Sequence, residues 1–260
     1  MTTAILFGLG LGIGTLGTLI GAGGGWMIVP ILLLGYGFAP QQAVGTSLAV
    51  VFLNALSGSI AYMAQRRVLY TMGTAFAAAT IPGALLGAWL VQYLNSDWFS
   101  VLFGVFLLFI AAFLLCGQQL LFRRSAVRSV TEAELQSLRS PVMRLGMLLS
   151  TLVGILSSVF GVGGGIVHVP FLIVVLGIPV HTATATSQFV LAITSLTGCL
   201  TFFSQGQVDL SVAASMGAGV LIGAQGGAVL SRRTRSEPIR RILAIALAVF
   251  AARLILRIVY

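Results

Sequence analysis

The chain has no lysine, only five Asp and Glu, two His and two Cys among its 260 residues. Each scarcity removes a class of chemistry. The carboxylates, Asp97, Glu132, Glu134, Asp209 and Glu237, all fall in loops or at the ends of apolar runs. Neither a carboxylate proton relay nor an acid-lined cation path can be built from them at membrane depth. Cys116 and Cys199 lie inside apolar stretches without the paired spacing of a metal or redox site, so no metal ion and no disulfide are expected. No G-x-S-G or H-E-x-x-H element occurs, and His168 and His181 are not placed as a catalytic pair. We therefore expect no enzyme activity and no cofactor.

What the chain has in excess is apolar sequence. Hydrophobic residues make up 58% and charged residues 7% of it, and the mean hydropathy is +1.08, far more than the core of a soluble domain requires. Crossing about 30 Å of hydrocarbon takes roughly 18 or more apolar residues. Such stretches lie near 3–20, 42–64, 71–94, 98–121, 143–160, 182–204, 210–230 and 239–259. The composition predicts an all-α polytopic membrane protein surrounded by the lipid bilayer. The first stretch lacks a basic n-region and a small-residue cleavage site, so it reads as a span rather than a removed signal.

All 14 basic residues are Arg, and the formal net charge is +9. Twelve of them lie in three stretches: Arg66 and Arg67; Arg123, Arg124, Arg128, Arg139 and Arg144; and Arg232, Arg233, Arg235, Arg240 and Arg241. The positive-inside rule assigns these loops to the cytoplasm, where they face anionic headgroups rather than nucleic acid. The connections near 36–41, 94–98, 177–182 and 204–210 carry no Arg and are expected outside.

A repeat organises the whole. Gly21–Leu90 aligns without a gap to Gly161–Leu230 at a constant offset of 140, with 22 identities over 70 positions. The Arg66/Arg67 loop is assigned inside, whereas its counterpart at Gly206/Gln207 is assigned outside; the loop at 94–98 and the Arg-rich stretch 231–241 reverse in the same way. Two inverted-topology repeats follow, each with a broken or re-entrant helix pair plus three transmembrane helices, an arrangement found in alternating-access transporters. Residues 1–121 form the first repeat, 122–142 a cytoplasmic linker and 143–260 the second repeat, with both termini external. The re-entrant pieces, 26–36 and 166–177, are too short to cross: about 11 helical residues reach only roughly 17 Å. In the linker, Thr131 and Glu134 have capping-box spacing for a helix over 132–139, and Ser140–Pro141 suits the opening of the next span.

The candidate site is an anion site. Gly23, Gly24 and Gly25, and again Gly163, Gly164 and Gly165, free backbone N–H groups and aim the positive ends of two half-helices at the midplane. Thr46 and Ser47, with Thr186 and Ser187, could donate from the following spans, and Asn54 and Gln188 add amide donors along them. His168 stands where the first half has Ile28, and is a candidate for proton coupling or simply a packed residue. Gly83, Gly87, Gly219, Gly223 and Gly227, spaced by four, suit close helix approach. Arg253 and Arg257 suit snorkelling to the external interface, with Arg253 a lesser candidate for the substrate path.

The GxGGGxxxxP element followed by a Gly/Ala-Thr-Ser triplet, present in both halves, resembles the TauE/SafE family, also called the toluene-sulfonate uptake permease family. The resemblance covers essentially the whole chain. It implies movement of sulfur-containing anions, such as sulfite, sulfoacetate and other organosulfonates, or thiosulfate, across the cell inner membrane. By motif it places the substrate at Gly23, Gly24, Gly25, Thr46, Ser47, Gly163, Gly164, Gly165, Thr186 and Ser187. The expectation is a secondary transporter exporting such an anion by alternating access. An anion channel on the same scaffold, or an importer, stays open, and so does a homo-oligomer.

Overall fold

The computed structural model describes residues 2–125, 141–231 and 244–254. The linker helix expected over 132–139, the Ser140 cap expected for the span that follows it, and Arg257 fall outside these residues, as does the side chain of Cys116. Ten α-helices and a 3-10 turn, Val91–Tyr93, are described: α1 Thr2–Ile20, α2 Gly25–Gly35, α3 Pro40–Ala64, α4 Tyr70–Leu90, α5 Ser96–Ser125, α6 Pro141–Phe160, α7 Gly165–Val174, α8 Val180–Ser204, α9 Leu210–Leu230 and α10 Ala244–Leu254. There is no strand among the described residues. Helices α1, α3, α4, α6, α8 and α9 are long and apolar enough to cross a membrane, which makes the protein all-α and polytopic.

The short helices begin where the sequence requires a break. Gly24 (φ 88°) and Gly164 (φ 81°) cap α2 and α7 in the left-handed region, a conformation that costs an L side chain about 1–2 kcal/mol. At 11 and 10 residues, α2 and α7 cannot span hydrocarbon. Buried backbone at these breaks has to be matched by protein groups.

Glycine spacing then sets the packing. A Cβ built at Gly219, Gly223 or Gly227 of α9 would run into the carbonyls of Phe7, Leu11 and Thr15 of α1; at Gly83 or Gly87 of α4 it would strike Thr151 and Ile155 of α6. Among hydrocarbon tails, burying Leu against Leu gains nothing, so backbone-to-backbone approach of this kind holds helices together. At the centre, α3 and α8 cross antiparallel, with Gly58 against Gln188 and Leu48 against Gly198. Phe99, Phe103 and Phe106 of α5 gather around Phe160 at 6.2, 5.5 and 4.7 Å between ring centroids, fixing α5 to the end of α6.

These contacts are reciprocal. Gly25 lies against the Gly161 carbonyl and Gly165 against that of Gly21; Gly83 meets Thr151 and Gly223 meets Leu11; Gly87 meets Ile155 and Gly227 meets Thr15. Adding or removing 140 turns each contact into its partner. A set of contacts that returns to itself when the halves are exchanged is the mark of a two-fold relation between them.

Candidate functional site

The structure brings the two glycine clusters together. Each short helix starts against the carbonyl of the opposite break, Gly25 on Gly161 and Gly165 on Gly21. All six cluster glycines are buried. The left-handed faces of Gly23 and Gly163 are covered by the same two side chains, Val51 of α3 and Leu191 of α8, themselves a pair at offset 140. The breaks are therefore packed shut by apolar contacts in this conformation.

The Thr-Ser pairs are equally reciprocal. Ser47 Oγ donates to the Gly161 carbonyl at 2.8 Å, and Ser187 Oγ to that of Gly21 at 3.3 Å. Thr46 Oγ1 accepts from the Asp209 amide at 3.0 Å, and Thr186 Oγ1 from the Leu69 amide at 3.1 Å. Asp209 and Leu69 are the N-caps of α9 and α4. None of these four hydroxyls bonds back to its own helix in the way Thr184 does, to the Val180 carbonyl. Each serine fastens the opposite break, and each threonine fastens the helix that follows the opposite half's central span.

Asn54 and Gln188 join only the first break. Asn54 Nδ2 donates to the Gly23 carbonyl at 3.0 Å, and its Oδ1 accepts from Thr18 Oγ1 at 3.1 Å. Tyr62 Oη donates to the Thr18 carbonyl at 2.8 Å. Gln188 Nε2 reaches Thr18 Oγ1 and the Asn54 carbonyl, each at 3.4 Å, while Gln188 Oε1 is buried without a partner. Three further unpartnered polar atoms belong to residues beside the breaks: Trp26 Nε1, directly after Gly25; Ser157 Oγ, whose Cβ lies by Gly164; and Ser158 Oγ, facing Gly198. Each such group costs about 1–3 kcal/mol while it stays dry.

His168 stands apart from this network. It is buried on α7, 3.3 Å from Ser150 Oγ and stacked on Phe76 with centroids 5.7 Å apart. His181 and Arg253 are exposed. Among the described residues no cluster of His, Cys, Asp or Glu could hold a metal ion.

Sequence reasoning did not single out Thr18, Tyr62, Val51 or Leu191. Hydroxyls and aliphatic groups inside apolar spans carry no periodic signal. One was available for the polar pair: Tyr62 faces Phe202 in the repeat alignment and Asn54 faces Thr194, so the first half is the more polar at its break.

Two helix breaks packed against one another at the centre of a helical membrane protein are an arrangement that transporters use. The particular family is the one described as Sulfite exporter TauE/SafE, which matches residues 6–254, and the chain belongs to it. It is 32% identical to the probable membrane transporter protein YunE of Bacillus subtilis strain 168, over 98% of each chain. It is 25% identical to a probable membrane transporter protein of Methanocaldococcus jannaschii, over 97% of this chain and 95% of that one. With the probable membrane transporter protein YfcA of Escherichia coli K12 it shares 24% identity over 91% of this chain and 83% of that protein. No solved structure matches the chain. The chain is accordingly a multi-pass membrane transporter.

Proposed function

We propose that the protein exports a small sulfur-containing anion, sulfite or an organosulfonate such as sulfoacetate, across the inner membrane by alternating access. The observation that carries the reading is the reciprocal meeting of two glycine breaks, each with a half-helix N-terminus at membrane depth. Amides and helix ends favour negative charge, and among the described residues the carboxylates, Asp97 and Asp209, stand at the starts of α5 and α9 rather than at the breaks. The sulfur anion itself comes from the family's description.

The ligand site of this proposal comprises Gly23, Gly24, Gly25, Gly163, Gly164 and Gly165, with Thr46, Ser47, Thr186, Ser187, Asn54 and Gln188 around them. In the packed conformation the serines and Asn54 hold the break carbonyls, and Val51 and Leu191 fill the faces between. Opening exchanges these internal contacts for the anion. The unpartnered Ser157 and Ser158 hydroxyls and the Trp26 N–H are donors whose dry cost the anion would remove.

Antiparallel packing of α3 and α8 supports inversion of the repeats. Equivalent helices related by a two-fold axis run antiparallel only when the axis is perpendicular to them, which for membrane spans places it in the membrane plane. An in-plane axis makes the two faces of the protein near-equivalents, so that one opening motion, performed by either half, serves alternating access. The Arg-rich loops then lie inside and both termini outside.

Titration calorimetry on the purified protein tests the ligand class. Sulfite, sulfoacetate and thiosulfate are the anions, with choline as a cationic control. Saturable binding of at least one anion and none of choline is expected; binding of choline alone would refute the anion site.

A further inference from the structure

Around the first break the polar side chains bond to one another. Asn54 Nδ2 donates to the Gly23 carbonyl, Thr18 Oγ1 to Asn54 Oδ1, Tyr62 Oη to the Thr18 carbonyl and Gln188 Nε2 to Thr18 Oγ1. The positions that correspond to Asn54, Thr18, Tyr62 and Gln188 in the other half are Thr194, Ser158, Phe202 and Leu48. Phe202 and Leu48 offer no polar side-chain atom. Thr194 Oγ1 is engaged elsewhere, 2.7 Å from Thr80 Oγ1 and 3.0 Å from the Val190 carbonyl. The second break therefore has the same backbone and a different set of polar neighbours.

Helix α6 supplies that set. Early on it, Ser150 Oγ bonds back to the Gly146 carbonyl at 2.7 Å and Thr151 Oγ1 to that of Met147 at 3.2 Å, the ordinary arrangement for a hydroxyl among hydrocarbon. Ser157 and Ser158 lie two turns further along the same faces. They are 1% and 0% exposed, and neither Oγ has a partner. Ser157 stands where the first half has Gly17, and its Cβ is 3.4 Å from the place a Cβ on Gly164, the N-cap of α7, would take. The first N–H groups of α7 have no partner within the helix and carry its positive end. Ser158 Oγ is 3.0 Å from the place a Cβ on Gly198 of α8 would take. The first break is left with the opposite remainder, the buried acceptor Gln188 Oε1. Its orientation is set, because Nε2 faces the Asn54 carbonyl at 3.4 Å and an oxygen there would be repelled.

We propose that the hydrogen bonds holding the substrate anion come from the second break, from the Ser157 and Ser158 hydroxyls and the amides that open α7, rather than equally from both breaks. The proposal rests on the anion-transport reading above and deepens it to one half of the site. An oxyanion accepts hydrogen bonds and gives none. It is drawn to the break where buried donors are left over and repelled from the one where an acceptor is. Each serine has one proton to give, and a hydroxyl held off its own helix, dry and unpaired, destabilises the empty protein until a ligand oxygen meets it. Substrates of this site are oxyanions with at least two accepting oxygens.

The test pairs two measurements on purified Ser157→Ala and Ser158→Ala: titration calorimetry with sulfite, sulfoacetate and thiosulfate, and thermal unfolding in detergent without any of them. For an anion that the parent binds, each variant is expected to bind about tenfold more weakly, the loss of one charge-assisted hydrogen bond. Its melting temperature without anion is expected to equal or exceed the parent's, because a dry hydroxyl is gone. Tyr62→Phe removes a paired hydroxyl at the first break and is expected to do the reverse, melting lower and binding as the parent does. Ser157→Gly copies the residue at Gly17 and carries the binding test if Ser157→Ala fails to fold. Folded serine variants that bind like the parent overturn the proposal and leave the anion reading standing. Weaker binding together with a lower melting temperature marks the hydroxyls as braces of the fold and overturns it as well. A parent protein that binds none of the three anions refutes the anion reading, and the proposal with it.

Discussion

Asn54 joins the first break to the rest of the core with both ends of its amide, and among the described residues no side-chain amide holds the second in that way. Replacing it with Leu strands the Gly23 carbonyl and the Thr18 hydroxyl, a loss of about 1–3 kcal/mol. Thermal unfolding of the purified protein in detergent should fall accordingly for Asn54→Leu, whereas Thr194→Val, at the matching position, loses the bond to Thr80 Oγ1 and leaves the second break unaffected. His168 poses a different question. If it carries a coupled proton, His168→Gln removes the response of sulfite flux to an imposed pH gradient and leaves sulfite binding intact; a retained response makes it a packing residue on Phe76 and Ser150. The cluster glycines and Thr-Ser pairs were legible because they occur twice at one spacing. Thr18 and Tyr62 were not, since a single hydroxyl in an apolar span is as often a back-bonded ornament of its own helix as a brace for another.

Run length against bilayer thickness located the elements well: the short pieces expected over 26–36 and 166–177 are α2 and α7, Gly25–Gly35 and Gly165–Val174. Four-residue glycine spacing likewise marked the contact faces of α4 and α9. It could not name the partners. That α9 lies along α1, and α4 along α6, depends on where distant spans meet, and no local pattern records that. Neighbouring glycines of α9 give a sharp check. A Cβ at Gly226 meets nothing within 4 Å, whereas one at Gly227 strikes the Thr15 carbonyl. Gly226→Ala should be neutral or stabilise by up to about 1 kcal/mol through helix propensity. Gly227→Ala should destabilise by about 1–3 kcal/mol through forced separation of α1 and α9. Equal melting shifts for the two variants would remove close packing as the reason for this spacing.

At the scale of the molecule, the repeat and its 140-residue offset were visible in the sequence, and so was the unequal distribution of Arg between matching loops. The closed packing of the breaks by Val51 and Leu191 was not, because aliphatic residues in apolar spans are unremarkable wherever they stand. Two-fold exchange of contacts and antiparallel central spans are the features on which the proposed carrier mechanism rests. A carrier binds its substrate before moving it and returns through the same site. Counterflow tests this directly: proteoliposomes loaded with unlabelled sulfite are diluted into a trace of labelled sulfite, and label uptake is followed. The account predicts transient accumulation of label above the external concentration, saturating with the internal sulfite load. Equilibration without overshoot would indicate a channel, and no load-dependent uptake with sulfite, sulfoacetate or thiosulfate would contradict the assignment of a sulfur anion.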